Sequence, residues 1–182
     1  MGGWCLLRLK ESLDKVPHRR LLWKIKNDGK IGGRLLEWME DYLDDREMRT
    51  VIQDQNSSWL KVASGVPQGS VLGPIMFAIY VNDINEEIDS YMNLFVDDAK
   101  LMRRAENVND CMVLQDDLNK INRWSKSWQM EFSLSECKVM EFGKSKKRIQ
   151  YRYEMDGVKL KKSKEEVDLG VTVTENLIPD RH

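Results

Sequence analysis

Two adjacent aspartates, Asp97 and Asp98, stand between short apolar arms: Leu94, Phe95 and Val96 before them, Leu101 and Met102 after. Arms of that length suit paired strands, which puts the acids at the tip of a hairpin. Like charges side by side repel, and Asp-Gly would make a better two-residue turn. Asp44-Asp45 and Asp116-Asp117 are doublets too, but polar neighbours make them ordinary solvated helix positions. For Asp97-Asp98 two readings stand: a polar hairpin end, or a tip neutralised by a divalent cation, for which hard carboxylate oxygens suit magnesium.

The rest of the chain alternates helix and strand signals. Proline at position 17 before "HRRLLWKIKN", with Gly29 beyond, predicts a helix. Leu35, Leu36, Met39 and Leu43 recur at helical spacing. "MRTVIQD" and "WLKVA" read as a hairpin turning at "QNSS", and "SGVPQGS" reads as a loop running into an apolar helix. Cys111, Leu114, Leu118, Ile121, Trp124 and Trp128 mark a helix stripe for which core packing is sufficient explanation. "CKVMEF", "IQYRYEM" with its Asp156-Gly157 turn, and "VDLGVTV" read as short strands. Strands interleaved with helices imply a mixed α/β (α+β) domain. At 182 residues, 41% hydrophobic and 32% charged, the chain is long enough for one such domain.

A net charge of −1 gives no global case for nucleic acid, yet residues 144–164 carry nine Lys or Arg against Glu154 and Asp156. A solvated face is the ordinary reading of such a strip, and a phosphate-facing surface the alternative. Three scattered cysteines without CxxC spacing argue against a disulfide framework or zinc site, and two histidines argue against a histidine-built metal site. With no signal segment and no long apolar run, the expectation is an intracellular protein without a membrane partner, nucleus or cytoplasm unresolved.

In "SGVPQGS", Gly65 and Gly69 allow close backbone approach to a ligand, Pro67 stiffens the loop, and Gln68 offers a donor and an acceptor. The helix after Ser70 would aim its first N–H groups at whatever lies there. A glycine loop at a helix start and a carboxylate hairpin further on together suggest nucleotide and metal handling.

"SGVPQGSVLGPIMFAIYVNDI" followed by "LFVDDAKL" resembles motifs B and C of the reverse transcriptases of non-LTR, LINE-type (jockey-like) retrotransposons. "MEFSLSECKVMEFG" is similar to their motif D, "EEVDLGVTV" to motif E, and "DKVPHRRLLWKI" to the stretch ending motif A. The resemblance spans about Asp14 to about Leu177. It implies a polymerase palm, a sheet backed by helices, in which aspartates from two strands hold paired Mg2+ (or Mn2+) ions. It also implies an RNA template, a DNA primer and deoxynucleotides as partners. Asp97 would be the metal ligand and catalytic residue, with Asp98 beside it. Gly65, Pro67, Gln68 and Gly69 would meet template and nucleotide, Lys138 the triphosphate, and Leu169, Gly170 and Val171 the primer end.

Motif A departs from the family's "DFSKAFDKVPH". Aligning its end on Asp14 to His18 puts its indispensable first aspartate at Arg8, and the residue screening the sugar 2' position at Leu13. A cation about 4 Å from a divalent ion is opposed by roughly 8 kcal/mol at an effective dielectric near 20. Strand alternation points Glu11 away from that site, and Asp14 would lie past the strand end. The domain expectation is a divergent N-terminus over 1–13, a palm-like domain over 14–177, and the start of a thumb over 178–182, with fingers and thumb lacking. The expected function is a reverse transcriptase fragment impaired in catalysis. Its alternatives are a non-catalytic nucleic-acid-binding remnant and an unfolded relic reading frame.

Overall fold

The computed structural model describes residues 2–142 and 149–176. In chain order these form β1 (Gly2–Arg8), α1 (His18–Asn27), α2 (Arg34–Leu43), β2 (Glu47–Met48), β3 (Val51–Ile52), β4 (Gln55–Asn56), β5 (Leu60–Lys61) and α3 (Leu72–Val81). There follow β6 (Tyr91–Phe95), β7 (Asp98–Arg104), α4 (Val108–Trp128), β8 (Lys138–Phe142), β9 (Glu154–Met155), β10 (Val158–Lys159), β11 (Lys161–Lys162), β12 (Glu165–Asp168) and β13 (Val171–Thr174). The chain divides into two compact units. One takes the start of the chain to Lys10 and resumes at Ile84; the other is Glu11–Asp83. No described helix is long and apolar enough to cross a membrane.

The first unit is a sheet of order β11-β8-β1-β7-β6. β1 lies antiparallel between β7 and β8, with Cys5 opposite both Leu101 and Val139. Side chains alternate across such a sheet. One face buries Cys5, Leu7, Ala99, Leu101 and Val139 beneath Cys111, Leu114, Leu118 and Ile121 of α4. The helix begins at Val108 because Asn107 caps it: its side chain accepts from Asp110 N–H while the Asp110 carboxylate accepts from Asn107 N–H. It ends at Gln129, in a left-handed conformation. The opposite face packs Leu6 and Met140 with Met102, Phe142 and Val173, the last from the β12–β13 hairpin. All three cysteine thiols are free and buried.

In the second unit α1 packs on α2 and α3. Lys24 is fully buried there, donating to the Tyr80 carbonyl at 2.6 Å and pairing with Asp83. A buried ammonium is tolerable only when so partnered.

Several strand expectations need correction. The hairpin over residues 47–61 turns at Gln53-Asp54, both at positive φ (45° and 64°), and Gln55-Asn56 belongs to β4 instead of the turn. Two successive positive-φ residues make the turn type that matches strand twist, which a polar "QNSS" signal does not reveal. Of "IQYRYEM" only Glu154–Met155 is strand; Tyr153 is instead buried in the core, its ring 4.8 Å from that of Tyr151. Within Asp97-Asp98 only Asp97 occupies the turn, since Asp98 pairs with Phe95 and opens β7. Residues 144–148 of the basic strip, with residue 143 before them, and 177–182 lie outside the described residues.

Truncating Leu118, fully buried beneath the sheet, should cost about 2–5 kcal/mol. Urea denaturation of Leu118→Ala should therefore show a cooperative transition at clearly lower midpoint. An unchanged midpoint, or no cooperative transition in the parent chain, would contradict this core.

Candidate active site

Strand register decides what meets at the carboxylate hairpin. β1 runs antiparallel to β7 with Arg8 directly opposite Asp98. The turn is fastened to the end of β1 by Leu9 N–H donating to the Asp97 carbonyl at 2.8 Å, and Ser133 N–H donates to the Arg8 carbonyl at 2.8 Å. Backbone bonds on both sides thus fix where the Arg8 side chain starts.

Its guanidinium reaches Asp98. Arg8 Nε donates to Oδ1 at 2.8 Å, Nη2 to Oδ2 at 3.4 Å, and Nη1 to Glu136 Oε2 at 3.4 Å. This is the fork geometry by which Arg takes both oxygens of one carboxylate. The hydrogen bond to Asp98 raises the Arg8 pKa above its already high value, with the charges of Asp98 and Glu136 adding to the effect and partial burial opposing it. Its stabilising charge is then present at every pH below that range and lost only as pH rises through it. Arg8 is 46% exposed, so water screens the pair and its worth to folding is below about 1 kcal/mol. The consequence of the pair is chemical more than energetic.

A divalent ion needs several oxygen donors converging on open space. Among the described residues, no three His, Cys, Asp or Glu side chains converge to hold one. Both Asp98 oxygens face guanidinium N–H groups, so the donor set here does not fit a resident magnesium. Glu136, the second carboxylate on Arg8, escaped the sequence reading; it stands immediately before "CKVM", and only the fold brings it to β1.

The other residues singled out distribute as follows. Lys138 opens β8 opposite Leu6, and Lys100 of β7 also lies opposite Leu6, so both share the face of Arg8 and Asp98. Each lysine is paired to the β12–β13 hairpin: Lys138 Nζ lies 2.7 Å from Glu166 Oε1, and Lys100 pairs with Asp168. Leu169 and Gly170, at φ 48° and 81°, form that hairpin's turn, and Val171 opens β13, exposed.

Gly65, Pro67, Gln68 and Gly69 lie in the other unit, stitched to the segment before α1. Gly65 N–H donates to Val16 at 2.8 Å and Val66 N–H to Leu13 at 2.7 Å. Gln68 Nε2 donates to Asp14 Oδ1 at 2.7 Å, and His18 Nε2 donates to the Gly65 carbonyl at 2.8 Å. Gly65 has φ 92°, and a Cβ there would meet the Asp14 carbonyl at 2.7 Å, so its missing side chain makes room for the chain itself. Gly69, at φ 76°, faces open space. Leu13 is half-buried, and Asp14 lies beyond the end of β1.

A family model for reverse transcriptase (RNA-dependent DNA polymerase) matches residues 6–173. The chain belongs to the reverse transcriptase family. Curated relatives include an RNA-directed DNA polymerase from mobile element jockey of Drosophila melanogaster, 25% identical over 145 residues. The probable RNA-directed DNA polymerases from transposons X-element and BS of the same species are 28% and 23% identical. These alignments cover 75%, 71% and 93% of this chain but only 16%, 15% and 20% of the relatives' length. This chain is therefore jockey-like within that family and spans a fraction of the length of those relatives. Among solved structures, a telomerase from Candida tropicalis, described in complex with a TWJ fragment of telomeric RNA, superposes with a TM-score of 0.65 at 15% identity. That match covers 98% of this chain and 29% of the telomerase chain, and it shows a palm-type α/β fold.

Val96, in the hairpin turn, has φ 51°, a conformation that costs a β-branched residue about 1–3 kcal/mol. It is 47% exposed and so loses little packing on truncation. Val96→Gly should raise stability by about 0.5–1 kcal/mol net of the added unfolded-chain entropy, read as a higher melting temperature. A lower one would show that Val96 side-chain contacts outweigh the strain.

Proposed function

We propose that this chain is a reverse transcriptase palm that engages a primer–template but does not extend it. The observation that carries the reading is the Arg8 guanidinium seated on Asp98. RNA-templated synthesis uses divalent ions to activate the primer 3'-hydroxyl and stabilise charge on the nucleotide phosphates. Asp97 would be the metal ligand from the hairpin, Asp98 its supporting carboxylate, and position 8 the ligand from the neighbouring strand. The family match begins at residue 6, so position 8 falls inside it. Putting a cation there removes an attraction and adds a repulsion of the order of 8 kcal/mol before relaxation.

The rest of the palm's equipment supports nucleic-acid engagement as the retained activity. The relatives are described as RNA-directed DNA polymerases, and the telomerase neighbour as an RNA complex; an RNA template paired to a DNA primer is the partner class this reading implies. Gln68 and Gly69, with Gly65 and Pro67 shaping their loop, would meet template and nucleotide. Leu169, Gly170 and Val171 would bear on the primer end. Lys138 would serve the triphosphate, a role its pairing with Glu166 opposes.

Primer extension with Mg2+ and with Mn2+ tests the claim. The unmodified chain should give no product above background. Synthesis that disappears with Asp97→Asn would show a working site despite Arg8 and would end this reading.

A further inference from the structure

We infer that the outer edge of β6 is a self-association surface, on which a second copy of this chain lays its own β6 antiparallel, with Asn93 of both copies meeting on the twofold axis. Such pairing does not depend on the primer–template engagement proposed above.

The five-stranded sheet has two edges, and the sequence treats them differently. β11 is a two-residue edge made of Lys161 and Lys162, short and charged as edges that resist pairing are. β6 is the other edge, five residues reading Tyr-Met-Asn-Leu-Phe, with neither a charge nor a proline to protect it. Among the described residues no strand pairs with its outer side. Tyr91 and Phe95 stand 63% and 55% exposed along it.

Turn geometry fixes which backbone groups face outward. Val96 and Asp97 form a two-residue turn closed by Phe95 opposite Asp98. The closing pair of such a hairpin exchanges both hydrogen bonds, and bonded pairs then alternate along the ladder. Tyr91, Asn93 and Phe95 therefore bond to β7, while Met92 and Leu94 turn their N–H and C=O groups outward. An antiparallel second copy overlaps the whole strand in a single register: Tyr91 opposite Phe95 of the second copy, Met92 opposite its Leu94, and Asn93 opposite its Asn93. In that register each Met92–Leu94 pair exchanges both backbone hydrogen bonds.

The side chains complement themselves in the same register. Tyr91 meets an aromatic ring at both ends of the contact. Met92 and Leu94, half-buried against the core, cover one another's remaining apolar surface. The Tyr91 hydroxyl donates to Asn93 Oδ1 at 3.2 Å, which leaves the Asn93 amide N–H groups to donate across the axis. Past the strand end Asp97 comes alongside Asp89 of the second copy, a carboxylate that Lys120 Nζ already meets at 3.3 Å. Pairing of one edge with itself about a twofold is closed, so it gives a dimer and no fibre.

Sedimentation velocity over a concentration series is the test. One strand makes a small contact, so the unmodified chain should pass from monomer to dimer with Kd on the order of 10 μM. Asn93 is exposed, and Asn93→Lys or Asn93→Asp alone sets like charges against each other on the axis. Each should weaken association by at least about tenfold. An equimolar mixture of the two variants sets Lys against Asp and should recover a dimer within about threefold of the parental Kd. That recovery guards against misfolding as the cause of the loss, because two unfolded variants cannot rebuild the contact. A parent chain that stays monomeric up to roughly 200 μM would overturn the inference. So would single variants that associate as tightly as the parent, or a mixture that stays monomeric.

Discussion

Strand β1 is bonded along both edges, to β7 on one side and β8 on the other, and its register governs both faces of the sheet. With Cys5 opposite Leu101 and Val139, Cys5 and Leu7 go under α4 and Leu6 packs on the other face with Val173 of the β12–β13 hairpin. A one-residue slip would exchange the two sets and put Arg8 into the apolar core. Burial of Cys5 and Leu7 therefore holds Arg8 opposite Asp98. The charge pairing at the site is a by-product of hydrophobic burial on the far side.

That ordering of causes explains how a weak interaction can have a large chemical effect. An ion pair this exposed contributes little to folding, but the register that presents it is enforced by a core of many side chains. The guanidinium need not hold itself in place to occupy the Asp98 oxygens. In this chain the fold delivers Asp97 and Asp98 to the hairpin while delivering a cation to the adjacent strand.

Much of this was legible in the residues. The α4 stripe from Cys111 to Ile121 is a 3.6-residue repeat, local information that needs no tertiary context; the capping box at Asn107 and Asp110 emerged only with the structure. The hairpin at Asp97-Asp98 followed from its apolar arms. What escaped was set by distant partners or by backbone angles. Glu136 is unremarkable until β8 lies beside β1. The turn at Gln53-Asp54 depends on two positive-φ residues of types that only tolerate that conformation. Gly65 suggested room for a ligand, whereas the Asp14 backbone fills that space. Tyr153 looked like strand because its aromatic neighbours favour strands, and is held instead by burial in the core.

The central claim is that the Arg8 guanidinium, and not a metal ion, occupies the Asp98 carboxylate. Arginine-selective NMR of the Nε–H groups addresses it directly. The account predicts an Arg8 Nε–H resonance that exchanges slowly with water, loses that protection in Asp98→Asn, and does not move as Mg2+ is added to millimolar concentration. An Arg8 resonance that is unprotected from the outset, or that Mg2+ displaces, would contradict it.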